Sequence, residues 1–171
     1  MRRRGLILAG VLAAVMLGGT ACVAPAPSAA TSAAASPVSL SAWENEMIGD
    51  LNAQRAAAGI GPLTACATLE AAAEAHSQDQ ANMNSMTHSG SNNSDIGQRA
   101  DGAGYTGWQT LGENVAYGFT SVDSVMNAWM NSPGHRANIL NPAFHDVGLG
   151  EVASASGVEY WTQDFGGSGH C

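Results

Sequence analysis

The chain has 171 residues, with six arginines, no lysine and 14 acidic residues, and its formal net charge is −8 at pH 7. This acidic balance argues against nucleic acid and anionic lipid surfaces as partners. A chain of this length can bury one sufficient hydrophobic core, so we expect a single folded domain that acts as a monomer.

The N-terminus has the layout of a secretory signal. Three arginines, Arg2 to Arg4, precede an uninterrupted apolar run from Gly5 to Leu17, and small residues follow. The apolar run is too short to cross a bilayer comfortably, so residues 1–21 are predicted to be a signal peptide and not a transmembrane helix. Its removal leaves three arginines against 14 acidic residues, so the mature chain is more acidic still.

The end of this signal predicts a lipid anchor. The segment LGGTAC at residues 17–22 resembles the bacterial lipobox, whose cysteine is acylated and becomes the mature N-terminus. An ordinary signal that discards Cys22 is the alternative. Residues 22–39 are almost all Ala, Ser, Pro and Thr, which cannot bury enough apolar surface to fold. We therefore expect a cell-surface or extracellular domain at residues 40–171 on a tether, with membrane contact only through the lipid.

The remaining cysteines predict a disulfide. If Cys22 carries lipid, Cys66 and Cys171 are an even pair in an oxidising compartment. Their bond would close a loop of about a hundred residues and stabilise the domain by a few kcal/mol, on the order of 4. A thiol nucleophile at Cys66 is the competing interpretation, but its immediate neighbours include no base.

The predicted elements indicate an α+β fold. Ser41 and Glu44 form a capping-box pattern that opens a helix, and Gly59 ends it. Further helices are predicted over Cys66–Ser85, Ile96–Gly102, Ser121–Met130 and His135–Leu140, and strands over Thr110–Tyr117, Asp146–Val152 and Val158–Phe165. The last two strands should form an antiparallel hairpin. Helices followed by strands, without regular alternation, favour an antiparallel sheet covered by helices.

Several segments match one known family in order and spacing. They are Asn52-x-x-Arg55-x-x-x-Gly59, Thr87-His88-Ser89, Arg99 to Gly104-Tyr105, Gly112-Glu113-Asn114, Ala128 to Leu140 and Tyr160-Trp161-Thr162-Gln163. Together they resemble the bacterial branch of the CAP (SCP) domain, the fold of cysteine-rich secretory proteins, venom allergens and plant pathogenesis-related proteins. The resemblance implies an α-β-α sandwich with a central antiparallel sheet between helical layers.

The same resemblance implies a surface cleft lined by two histidines and up to two acidic residues. The histidines fall on His88 and His135, and the first acid falls on Glu113. The position of the second acid is occupied by Ser132. This departure weakens any mechanism that needs paired carboxylates.

The chemistry of the cleft residues leaves two interpretations open. His88, Glu113 and His135 could hold Zn²⁺ or another divalent cation with one open coordination position, although they do not form a short metal motif. Alternatively, Glu113 accepts hydrogen bonds from backbone amides and an imidazole in an architectural network. His76 is interpreted separately, as a partly buried histidine with a local hydrogen bond.

Three hypotheses for function follow. The first is a lipid-tethered module that captures a small molecule, a peptide, another envelope ligand or a divalent ion in the cleft. The second is a metal-dependent hydrolase acting on peptide or cell-wall bonds. The third is a non-catalytic structural or adhesive envelope protein. Family resemblance alone does not choose among them, because function depends on the site and not on the fold.

Overall fold

A computed structural model describes residues 39–171 of the chain. The predicted signal peptide, the lipidation site Cys22 and the tether up to residue 38 lie outside the described residues. The helices are α1 (Ala42–Ala57), α2 (Ala67–Met83), α3 (Ile96–Ala103), α4 (Val122–Asn131) and α5 (Pro133–Ile139). The strands are β1 (Thr64–Ala65), β2 (Thr110–Tyr117), β3 (Asp146–Ala153) and β4 (Glu159–Gly167).

The four strands form one sheet in the order β1-β3-β4-β2. The predicted hairpin is confirmed, since β3 and β4 pair antiparallel, and β2 pairs antiparallel with the other side of β4. The two-residue strand β1 pairs parallel with β3, so the sheet is mixed where a wholly antiparallel one was expected. Two residues are too few to produce a recognisable hydrophobic alternation, which is why β1 was missed.

Most helix boundaries follow from local capping chemistry. The predicted capping box is present: the Ser41 hydroxyl accepts from the Glu44 amide at 3.4 Å, and the Glu44 carboxylate accepts from the Ser41 amide at 2.6 Å. α5 begins at Pro133, before the predicted start at His135. Proline breaks a helix interior but suits its first position, where its missing N–H and fixed φ cost nothing.

Helices cover both faces of the sheet, which confirms the α-β-α sandwich. On β4, Thr162 faces α2, whose Ser77 and Gln80 donate hydrogen bonds to its hydroxyl oxygen. The next residue, Gln163, faces the opposite layer, where its amide contacts the sulfur atoms of Met47 in α1 and Met126 in α4. Successive strand residues point to opposite faces, so β4 is buried on both sides.

Glycines in β3 let α2 lie directly on the sheet. A Cβ added at Gly148 would overlap the backbone of Leu69 and Glu70, and one at Gly150 would overlap that of Ala73 and Glu74. The alanine-rich face of α2 allows the same close approach from its side. The helix that leads into the loop of His88 is therefore held at backbone contact distance from the sheet.

Arg55 ties α1 to the chain segment that follows α5. Its side chain is buried, and its guanidinium donates to four backbone carbonyls, those of Gly61, Ile139, Asn141 and Phe144. Asn52, one turn earlier on α1, bonds both the amide and the carbonyl of Leu63 with its side chain. These contacts fix the position of α5 without contributing to the cleft.

The predicted disulfide is confirmed, since Cys66 and Cys171 are bonded with Cα atoms 5.4 Å apart. Cys66 is the N-cap residue of α2. The bond therefore joins the last residue of the chain to the start of the helix that packs on the sheet.

Gly148→Ala should destabilise the domain by roughly 1–3 kcal/mol, because the new methyl group forces α2 away from β3. Urea denaturation measures the change. The matched control is Gly49→Ala, which places the same methyl group on α1 where nothing lies within 4 Å. That change should stabilise the domain slightly, since alanine favours helix. Equal effects of the two variants would contradict the packing argument.

Replacing both Cys66 and Cys171 by alanine should lower the free energy of unfolding by roughly 4 kcal/mol. The two residues are 105 positions apart, and opening so long a loop enlarges the entropy of the unfolded chain. Urea denaturation of the double variant and of the reduced wild type should give similar losses. An unchanged denaturation midpoint in both would refute the role assigned to the disulfide.

Candidate functional site

The triplet Gly112-Glu113-Asn114 places different chemistry on the two faces of the edge strand β2. Glu113 faces the layer of α2 and α3. Gly112 and Asn114 face α5, where a Cβ on Gly112 would lie 2.7 Å from the ring of Phe144. Glycine is needed here because Phe144 and Asn138 occupy the space that a side chain would fill. The three residues therefore have different roles. Gly112 leaves space for Phe144 and Asn138, Glu113 provides a buried charge, and Asn114 contacts α5.

Glu113 is a buried carboxylate held by two side chains. Its own side chain is 4% exposed. Nδ1–H of His88 donates to Oε1 at 2.7 Å, and the Arg99 guanidinium donates to Oε2 at 2.5 Å. Both carboxylate oxygens are thus engaged. The expected imidazole donor is present, whereas the other donor is an arginine in place of the backbone amides considered from the sequence.

The loop that carries His88 is fixed by the same arginine and by α2. Arg99 also donates to the backbone carbonyls of His88 and Ser94. The buried His76 donates from Nε2 to the carbonyl of Thr87 at 2.9 Å, and that nitrogen lies 3.6 Å from Glu113 Oε2. His76 is more buried than expected, and it stands beside the cleft carboxylate. Its hydrogen bond secures the residue that precedes His88.

His135 approaches from the other layer. It lies in α5 and is half-buried. Asn114 donates to its carbonyl at 3.2 Å, and Asn138 donates to the carbonyl of Glu113 and to the side chain of Asn114. The asparagines therefore dock α5 against β2. His135 and His88 consequently stand on opposite sides of the outer edge of β2.

The pKa shifts follow from these contacts. Burial opposes ionisation of Glu113, but the hydrogen bond from His88 and the charge of Arg99 outweigh it and lower its pKa. The hydrogen bond to Glu113 raises the pKa of His88. Burial lowers the pKa of His76, and burial followed by the nearby charge of His88 lowers that of His135. His88 is thus the imidazole whose cationic form is favoured.

An apolar groove adjoins the cleft. Its volume is about 400 Å³, and its lining includes Met86, Tyr117, Phe119, Trp129, Ser132 and His135. Met86 and Tyr117 are 43% and 54% exposed, and no other large hydrophobic residue in the described part of the chain is exposed. Ser132, at the position where the family pattern has its second acid, caps the end of α4 and borders this groove.

The structure therefore brings the predicted residues together in part. His88 and Glu113 are in contact, and His135 is near enough for the charge on His88 to affect its pKa. Sequence reasoning missed the roles of Arg99 and His76. Arg99 carried one usable signal: it is one of three arginines in an acidic domain, where an unpaired buried acid needs a cation.

A metal ion bound through Glu113 does not fit this arrangement. No group of three or more His, Cys, Asp or Glu side chains within residues 39–171 is arranged to hold a metal ion. The guanidinium of Arg99 takes one oxygen of Glu113 and places a positive charge where a cation would bind. The three-residue metal set thus stays a prediction from the sequence, and we derive no chemistry from it.

Comparisons with known proteins agree with the fold and the motifs. Residues 48–165 match the family model of CAP, the cysteine-rich secretory protein family. The chain is 40% identical over 147 residues to the uncharacterized protein YkwD of Bacillus subtilis, a match covering 85% of this chain and 56% of YkwD. It is 27% identical over 122 residues to the uncharacterized membrane protein YlbC of the same organism, covering 71% of this chain and 34% of YlbC.

Solved structures show the same fold. An extracellular protein of Bacillus anthracis with an SCP domain superposes with a TM-score of 0.65 at 26% identity, over 72% of this chain and 39% of that one. An outer surface protein of Borrelia burgdorferi gives a TM-score of 0.67 at 20% identity, over 72% and 91% of the two chains.

The chain belongs to the CAP family of cysteine-rich secretory proteins, and its described domain has the CAP fold. It spans about half of YkwD and a third of YlbC.

Arg99→Met should lower the free energy of unfolding by roughly 3 kcal/mol or more, because the buried charge of Glu113 loses its cation. Urea denaturation at pH 7 measures the loss. Adding Glu113→Gln to Arg99→Met should restore part of the stability, since no uncompensated charge remains. A double variant no more stable than Arg99→Met would show that the two side chains are not coupled.

The fall in the free energy of unfolding at acid pH provides a control for the pair of Glu113 and Arg99. The pKa of Glu113 in the folded protein lies below its unfolded value, so its stabilisation is present above the unfolded pKa and is lost as pH falls through the folded one. Glu113→Gln should remove this part of the acid-induced loss.

Proposed function

We propose that this protein is an exported envelope protein, lipid-anchored at Cys22, whose cleft captures a small molecule or peptide bearing an apolar group. The ligand would contact the imidazoles of His88 and His135 with its polar part and enter the neighbouring groove with its apolar part. Contacts in the cleft support ligand capture, and the relatives support export.

The observation that carries the proposal is the setting of His88. Its Nδ1 is fixed by Glu113, yet its side chain is 61% exposed. Among the described residues its Nε2 has no hydrogen-bond partner. A ring oriented by a carboxylate on one nitrogen and open on the other is prepared to contact a ligand without reordering.

The groove defines the other part of the ligand. Its walls are aromatic and aliphatic, with Ser132 and His135 as polar groups at the border. Ligand sites typically combine an apolar lining with a few polar groups that set orientation. Exposed Met86 and Tyr117 would be covered by such a ligand, which gives a reason for their exposure.

Hydrolysis is less well supported by the same contacts. The lowered pKa of Glu113 disfavours it as a general acid at neutral pH. Its side chain is 4% exposed and is covered by His88 and Arg99, which bond its two oxygens, so a substrate has little access to it. A hydrolase would need Arg99 or His88 to withdraw from Glu113 first.

The architectural alternative has an observation in its favour. Glu113, Arg99 and His76 are largely buried and together hold the loop of His88 against the sheet. In that alternative the cluster stabilises the domain and the cleft binds nothing. It differs from the ligand hypothesis in its account of His135, whose side chain makes no hydrogen bond among the described residues.

Export is supported by the relatives and by the sequence. The B. anthracis relative is described as extracellular and the B. burgdorferi one as an outer surface protein. No helix within residues 39–171 is long and apolar enough to cross a membrane. The predicted signal and lipobox would provide the route and the anchor, and the disulfide fits an oxidising location.

Binding should depend on the two cleft histidines. His135→Ala and His88→Asn should each weaken binding at least tenfold, because each removes an imidazole nitrogen facing the ligand. Asparagine keeps an N–H near the position of Nδ1, so the bond to Glu113 survives. Calorimetry and NMR shift mapping should use soluble peptidoglycan fragments and peptides with and without apolar side chains.

The control is His145→Ala, which changes an exposed loop histidine outside the cleft. It should bind the probes as the wild type does. Tight binding that is unaffected by both cleft variants would place the ligand elsewhere. If no probe binds and Glu113→Ala strongly lowers the melting temperature, the architectural alternative is favoured.

A further inference from the structure

Asp164 is a second carboxyl group beneath the cleft. It lies on β4 directly opposite Glu113 in the strand register, so both side chains are on the same face of the sheet. Its side chain is completely buried, and no other aspartate among the described residues is buried. No N–H or O–H group within residues 39–171 donates a hydrogen bond to either of its carboxyl oxygens.

One cation faces these two carboxyl groups. Arg99 comes from α3 and donates to Glu113, and its remaining Nη–H bonds go to loop carbonyls. His76 faces the pair from α2, but burial lowers its pKa, so it is neutral at neutral pH. The β3 residue opposite Asp164 is Gly148, which carries no charge. Arg99 therefore balances one negative charge, and Glu113 already provides it.

A second ionised carboxylate at this depth would lack both solvent and a counter-ion. Groups in that situation take up a proton in preference to carrying the charge. Burial raises the pKa of Asp164 well above its ordinary value, and the neighbouring charge of Glu113 raises it further. The geometry and the charge balance thus point the same way.

We propose that Asp164 is a neutral carboxylic acid at pH 7, buried on β4 beneath the cleft and beside Glu113. By staying neutral, it leaves Arg99 to Glu113 and so keeps Glu113 ionised and bonded to His88. The protonation state belongs to the ligand-free protein, so it can be tested independently of ligand capture.

The direct test is infrared spectroscopy of the ligand-free protein in D₂O at pH 7. The wild type should show the C=O stretch of a protonated carboxyl group. Labelling the aspartate carboxyl carbons with ¹³C should shift that band, and this needs no variant. Asp164→Asn should abolish it. In Glu113→Gln the band should disappear at a lower pH than in the wild type, because the neighbouring charge is gone.

A second measurement follows the imidazole of His88 by NMR. Asp164→Asn should leave its titration midpoint unchanged, since a neutral group replaces a neutral group. Glu113→Gln should lower that midpoint. If Asp164 were ionised in the wild type, Asp164→Asn would remove a negative charge near His88 and lower that midpoint as well.

The stability curve should also change in a defined direction. Because the folded-state pKa of Asp164 is raised, its contribution is present in acid and is lost as pH rises from the unfolded to the folded pKa. Asp164→Asn should remove that decline. The proposal is overturned if the wild type has no carboxylic-acid band at pH 7, if the band ignores aspartate labelling, or if Asp164→Asn lowers the midpoint of His88.

Discussion

The negative charge of Glu113, buried on an edge strand, is the constraint around which one side of this domain is organised. A buried carboxylate must be paired, and here the partners come from two separate segments, α3 through Arg99 and the loop after α2 through His88, while His76 on α2 holds the carbonyl of Thr87 beside them. Arg99 is the essential partner because it neutralises the charge and also binds the carbonyls of His88 and Ser94. The otherwise irregular loop between α2 and α3 therefore takes its position from electrostatics.

This arrangement separates two tasks that a cleft histidine can have. On one nitrogen His88 belongs to the buried network, and on the other it belongs to the surface. Because Glu113 is buried and bonded to the imidazole of His88, it is a poor candidate for direct chemistry on a substrate. The apolar groove beside His135 adds shape to a site whose polar groups are few. These features favour the proposed ligand capture over the alternative of hydrolysis.

The sequence predicted the elements whose signals are local. The capping box at Ser41, the strand of Glu113 and the terminal hairpin were all found close to their observed bounds, because periodicity and capping depend on neighbours in the chain. β1 was missed because its two residues are defined by pairing with β3, a contact that no local pattern reports. The start of α5 was misplaced because proline was treated only as a helix breaker.

The site was predictable to the extent that the family motifs named it. His88, Glu113 and His135 were identified through the resemblance. The motif that contains Arg99 indicates no role for it, and no local pattern marks Asp164. Asp164 could not have been singled out, since an acid within a strand reads as a solvent-facing residue until the covering helix is known. Whether a polar side chain is buried depends on which helices cover the sheet, and that is known only from the folded structure.

The two cleft imidazoles are mounted on different layers of the sandwich. His88 is held by the charge network on the α2 side, while His135 is carried by α5, which Asn114, Asn138 and Arg55 fasten to the opposite side. The distance between the rings is therefore set from two sides. The buried charge network fixes His88, and amide and guanidinium hydrogen bonds to the backbone fix His135. Substitutions around α5 can therefore change the separation of the two imidazoles while the buried charge stays balanced.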